Sequence, residues 1–171
     1  MKPLRPVNRL GSVTPSTALS RPVDPDFLED VYRANWASLV RLGMFLVGSR
    51  EVAEDIVQDA FIRLDAGAQF PDYPRAYLRR MVINGVTDYR RRLKVEADFA
   101  HDVPLWDFIP EVEEVWSRLC VLSDRQRDAL VFRFYLDLSI QEVASLLGCP
   151  TNTAKTHIRR GLLALRKEVD P

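Results

Sequence analysis

The chain has 171 residues, 47% of them hydrophobic and 28% charged, with a formal net charge of +0. That length fits one mid-sized domain or two small ones, each able to bury only a modest core. No apolar run approaches the roughly 18 residues of a membrane helix, so membrane insertion is excluded. The 2 cysteines are too few for a disulfide framework, and 7 glycines argue against a β fold built on tight turns. The composition points to a cytoplasmic, all-α protein.

Residues 1–23 hold Pro3, Pro6, Pro15 and Pro22 among Ser, Thr and Arg without hydrophobic periodicity, which predicts a disordered basic tail. Asp24-Pro25 then reads as an N-cap followed by proline at the first helical position. Leu28, Val31, Tyr32, Leu39, Leu42 and Leu46 follow at helical spacing, up to Gly48 as a stop. Ser49 can cap a second helix, in which Ala53, Ile56, Val57, Ala60, Phe61 and Leu64 form one apolar stripe. Residues 66–73 read as a loop, and Pro74 opens a helix with Tyr77, Leu78, Met81, Val82 and Tyr89 inward, ending in Arg90-Arg91-Arg92.

Over 94–110 periodicity is lost, prolines return and acids accumulate, which predicts a flexible acidic linker. Val112, Val115, Trp116 and Leu119 resume the helical pattern. Ser123 with Gln126 and Ser139 with Glu142 have capping-box spacing. A last helix over 151–167 follows Gly148-Cys149-Pro150. The expected fold is all-α, with two small helical domains at 24–93 and 111–171, and with Cys120 and Cys149 as small buried hydrophobes.

The zero net charge conceals segregated blocks: +4 over 1–22, −5 over 23–65, +6 over 73–94, −7 over 95–117 and +5 over 151–167. Two basic blocks around an acidic one imply two anion-binding surfaces. The second basic block falls on a helix-turn-helix pattern, a short capped helix, a glycine turn and a basic helix. There Ala154, Ile158, Leu162 and Leu165 make the expected buried stripe, and Lys155, Thr156, Arg159 and Arg160 lie off it, free to enter a major groove. In the first basic block Tyr73, Tyr77 and Tyr89 alternate with Arg75, Arg79 and Arg80, a mixture suited to unpaired bases, although tyrosines at this spacing also suit a core. On the second helix Glu51, Asp55, Gln58 and Asp59 share one face; like charges at i,i+4 cost stability, which hints at a basic partner.

These segments together resemble a known family. Ala53-Glu54-Asp55-Ile56-Val57-Gln58-Asp59-Ala60-Phe61 is similar to the polymerase-binding motif of bacterial sigma factors. The stretch 74–92 resembles their −10 promoter segment, and 122–167 their −35-binding domain. The two-domain form is that of the extracytoplasmic-function (ECF) group. The resemblance implies a factor that binds core RNA polymerase through the β′ coiled coil and the β flap, recognises promoter DNA and promotes strand opening. It further implies an anti-sigma partner, no cofactor and no catalytic residue. By the same resemblance Asp55, Gln58, Asp59 and Phe61 dock on polymerase. Phe70, Asp72, Tyr73, Arg80, Asn84, Asp88 and Arg91 meet the −10 element, and Thr153, Lys155, Thr156, Arg159 and Arg160 meet the −35 element. Ile83 and His157 depart from the arginines the family often carries there.

An enzyme is the first rival, but the only two histidines, His101 and His157, form no triad or zinc spacing with the cysteines, and no glycine-rich phosphate loop is present. The second rival is a helix-turn-helix regulator that binds DNA without polymerase. It accounts for the C-terminal helices but not for the acidic helix followed by the Arg/Tyr helix.

Overall fold

The computed structural model describes residues 25–66, 71–96 and 110–169, all helices and short connections. The predicted tail, Phe70 and most of the predicted linker lie outside the described residues. Helix α1 spans Pro25–Val47, α2 Arg50–Asp65 and α3 Pro74–Glu96. Helix α4 spans Pro110–Leu119, α5 Asp124–Leu130, α6 Ile140–Leu147 and α7 Thr151–Val169; a π-helical turn, Val131–Tyr135, continues α5.

The N-terminal half forms around the stripe read from the sequence. Ala53, Ile56, Val57, Ala60, Phe61 and Leu64 of α2 are all buried against Leu39, Leu42 and Leu46 of α1 and Leu78 and Val82 of α3. Gly48 closes α1 at φ +77°, a conformation that side chains resist, and Ser49 Oγ accepts from Val52 N at 3.3 Å to start α2. Two expected core tyrosines sit further out. Tyr32 and Tyr77 are both exposed, Tyr32 lying against Trp36 and Phe61 at ring centroids of 4.9 Å each. A wide tyrosine at the edge of a stripe keeps its hydroxyl in water while its ring covers the core. Helix α3 runs to Glu96, through residues expected to belong to the linker.

In the C-terminal half, Ser139 N donates to Glu142 Oε2 at 2.8 Å and Glu142 N to Ser139 Oγ at 3.3 Å, the reciprocal box read from the sequence. At Ser123 the Gln126 carbonyl oxygen takes the backbone N–H at 3.4 Å. Gly148, at φ +63°, ends α6 in the left-handed region and lets α7 start at once. The inward stripe of α7 is Ala154 and Gly161, both buried, with Ile158 and Leu165 half-buried beside them, whereas Leu162, expected inward, is 45% exposed. At 3.6 residues per turn, i+7 returns to the starting face and i+8 overshoots it. Cys120 is also exposed, contrary to expectation.

The two halves are not separate bodies. One hydrophobic cluster runs from α1 and α3 into α5, α6 and the π turn. Phe45 meets Tyr135 edge-on at 5.1 Å, and the Tyr135 hydroxyl donates to the Ser38 carbonyl at 3.0 Å. Trp116 covers Gly48 so closely that a Cβ there would collide with its ring. Arg127 stacks over the same indole, 4.7 Å from its centroid. Arg90 grips both carboxylate oxygens of Asp128 at 2.9 Å, each side chain about 15% exposed, and also donates to the Leu46 carbonyl. Arg127 reaches that same carbonyl at 3.3 Å. Burial pushes the Asp128 carboxyl above the ordinary carboxylate range, against the pull of Arg90.

Candidate functional site

On α2 the residues off the buried stripe form one exposed face. Asp55, Gln58 and Asp59 are exposed and border a groove of about 540 Å³, whose other wall is Tyr89, Arg92 and Leu93 of α3. Phe61, assigned to the same surface, is only 7% exposed and packs inward with Tyr32 and Trp36. The apolar residue that does reach this face is Ile62, 57% exposed. Its spacing from Asp55, Gln58 and Asp59 placed it there, but the motif drew attention to the larger neighbour. A groove of mixed polar and apolar lining, with acidic residues and an exposed isoleucine on its α2 side, suits a partner helix with basic and apolar residues.

The second surface follows α3. Asp72 and Tyr73 precede the helix, both exposed, and Arg80, Asn84, Asp88 and Arg91 are exposed along it. Tyr77 joins them: Tyr73, Tyr77, Arg80 and Asn84 follow an i, i+4, i+7, i+11 strip. The sequence left Tyr77 open between the core and a base-stacking face, because its spacing to Met81 also fits the buried side. Asp88 Oδ1 pairs with Arg91 at 3.1 Å, which partly neutralises the far end of the strip. Two exposed tyrosines beside Arg80 and Asn84 can stack on bases and hydrogen-bond their edges.

The third surface is α7, held by the glycine turn across α6. The Arg125 guanidinium donates to the Leu147 carbonyl at 2.7 Å and so fixes the end of α6. Thr153, Lys155, Arg159 and Arg160 are exposed, with no acid among them. Thr156 is half-buried and donates its hydroxyl to the Asn152 carbonyl at 2.9 Å, leaving only its lone pairs for a partner. The Glu142 carboxyl is held below its ordinary range by its hydrogen bonds with Ser139. Among the described residues, no cluster of His, Cys, Asp and Glu could hold a metal, and no helix is long and apolar enough to cross a membrane.

Comparison with known proteins matches residues 31–95 to the family model "Sigma-70 region 2" and residues 113–165 to "Sigma-70, region 4". The chain is 30% identical over 151 residues to an RNA polymerase sigma-E factor of Streptomyces avermitilis, covering 83% of this chain and 84% of that one. It is 27% identical over 169 residues to the ECF RNA polymerase sigma factor SigW of Bacillus subtilis, covering 85% and 90%. Among solved structures it resembles the sigma factor RpoE of Bartonella quintana, captured with the anti-sigma factor NepR (TM-score 0.62, 21% identity, 85% and 99% covered). It resembles equally the structure of CnrH with the cytosolic domain of CnrY (TM-score 0.62, 21% identity, 86% and 90% covered). The α2 and α3 surfaces fall within the first matched region and α7 within the second, so the chain belongs to the sigma-70 family of RNA polymerase sigma factors, in its ECF group, and is an initiation factor rather than an enzyme.

Proposed function

We propose that the three surfaces divide the work of this sigma factor. The observation that carries the division is the exposed acidic face of α2, which a plain DNA-binding regulator does not need. Asp55, Gln58 and Asp59, with Ile62 in place of Phe61, meet core polymerase in the groove against α3. Asp72, Tyr73, Tyr77, Arg80, Asn84, Asp88 and Arg91, with Phe70 ahead of them, take the −10 strand. Thr153, Lys155, Arg159 and Arg160 read or anchor the −35 duplex, and Thr156 accepts from it. Residues 24–93 and 111–171 are the working halves, joined by the acidic segment 94–110, and 1–23 is a basic tail. The site of action is the cytoplasm. Both solved neighbours were captured in complexes, one with an anti-sigma factor, which supports an anti-sigma partner here.

Run-off transcription with reconstituted core enzyme tests this reading. The Asp55→Arg, Asp59→Arg double variant is expected to weaken holoenzyme assembly at least about tenfold by charge reversal, with helicity unchanged because neither residue is buried. Unchanged core affinity in a pull-down titration would remove α2 from the polymerase interface.

A further inference from the structure

Apart from the three surfaces, α1, α3 and the π turn gather a group of positive charges that none of those surfaces uses. Arg75 and Arg79 stand one turn apart on α3. At 3.6 residues per turn they face about 150° away from the strip of Tyr73, Tyr77, Arg80 and Asn84. Arg41 of α1 joins them through Tyr135. The Tyr135 hydroxyl donates to the Ser38 carbonyl at 3.0 Å, and Arg41, three residues on, hydrogen-bonds to the same tyrosine. Burial pushes that hydroxyl above its ordinary value, while Arg41, Arg79 and Arg75 pull it the other way.

Among the described residues no carboxylate pairs with Arg41, Arg75 or Arg79. Glu142 and Ser145 line a groove of about 240 Å³ with Arg79, but the Glu142 carboxylate is engaged by the Ser139 cap. Arg79 is half-buried, and burial, then the charge of Arg75, pull its guanidinium below its ordinary value. Cations held together away from water are costly, and an anion between them removes that cost. Arg41 and Arg75 are exposed, so their long side chains can turn onto a common ligand. One carboxylate has two oxygens and satisfies a single guanidinium fork. A terminal phosphoryl group, with three oxygens and close to two charges, suits three forks. A DNA phosphodiester carries only one charge.

We propose that Arg41, Arg75 and Arg79 form a binding site for a terminal phosphoryl group, free or carried by a small molecule, with Tyr135 as the positioning residue that holds Arg41 toward the pair on α3. The Tyr135 proton is committed to Ser38, so the arginines and not the phenol supply the donors. None of these four residues belongs to a proposed polymerase or DNA surface, and the site stands whether or not the sigma-factor reading does.

The test uses the full chain, with pyrophosphate as probe and sodium chloride of equal ionic strength as reference. Calorimetric titration gives the affinity, and thermal unfolding followed by circular dichroism gives the midpoint. At tenfold the dissociation constant the wild-type midpoint is expected to rise by about 3–6 °C. Arg75→Gln and Arg79→Gln are expected to lose most of that rise. Tyr135→Phe, which keeps its ring, is expected to weaken binding about threefold to tenfold, yet to cost nothing further when Arg41 is already Gln. Inorganic phosphate and a nucleoside diphosphate are titrated alongside. Equal affinities assign the site to the phosphoryl group alone, and tighter binding of the diphosphate assigns it to a nucleotide. A rise of the same size in wild type and in both arginine variants is a general salt effect and overturns the site. So does a wild-type midpoint no higher in pyrophosphate than in chloride. A short DNA duplex that shows the arginine dependence where pyrophosphate shows none also overturns it, since the ligand is then a diester.

Discussion

Arg160 and Lys155 are both exposed on α7, yet they are expected to fail differently when truncated. A guanidinium bidentate on a guanine edge carries sequence information, whereas an ammonium near a phosphate carries only charge. Arg160→Ala should therefore cost about 1–3 kcal/mol at the cognate −35 duplex and flatten preference at one base position. Lys155→Ala should weaken cognate and scrambled duplexes alike and reduce the salt slope by about one. Fluorescence anisotropy titrations at several salt concentrations separate the two, and equal discrimination by Arg160→Ala and wild type would take Arg160 off the base edge. Phe61 and Ile62 carry a related lesson about single residues. The motif named the aromatic, but the helix turns it inward, 7% exposed, and presents the isoleucine beside it, 57% exposed.

Helix ends were legible in the sequence because their chemistry is local. The Ser139–Glu142 box needs only residues three apart, and it forms as expected. Its hydrogen bonds depress the Glu142 carboxyl, so the folded state holds its proton less tightly than the unfolded chain does. The contribution is present above the ordinary carboxylate range and is lost as pH falls through the depressed value. Chemical denaturation should find wild type more stable than Glu142→Gln at neutral pH, with the gap closing in acid; a gap independent of pH would dissociate the carboxylate from the cap. The α2 stripe was legible for the same reason, since every member repeats at a clean helical interval. Tyr77 and Leu162 were not, because each sits at the margin of its stripe, where spacing cannot tell which side a large side chain takes. The π turn at Val131–Tyr135 leaves no local mark either, since its widened hydrogen bond, Leu136 N to Val131 O at 3.1 Å, depends on what the turn packs against.

At the scale of the molecule, the sequence revealed two helical units and a charge pattern but not how the units meet. The contact is built from residues with other apparent duties. Phe45 lies on none of the stripes read from the sequence, Gly48 reads as a helix stop, Arg90 as part of a basic run and Ile83 as a missing DNA contact. Only in three dimensions do they face Tyr135, Trp116, Asp128 and Leu136. The end of α1 carries a further consequence. The Leu46 carbonyl accepts from Arg90 of its own half and from Arg127 of the other. Each donor lengthens and softens a C=O bond, so this oxygen counts how many halves are present. With ¹³C at that one carbonyl, its infrared band should lie low in the wild-type protein and step upward in Arg127→Ala, where Arg90 alone remains. A band at the same position in both proteins would mean that Arg127 does not reach this oxygen in solution.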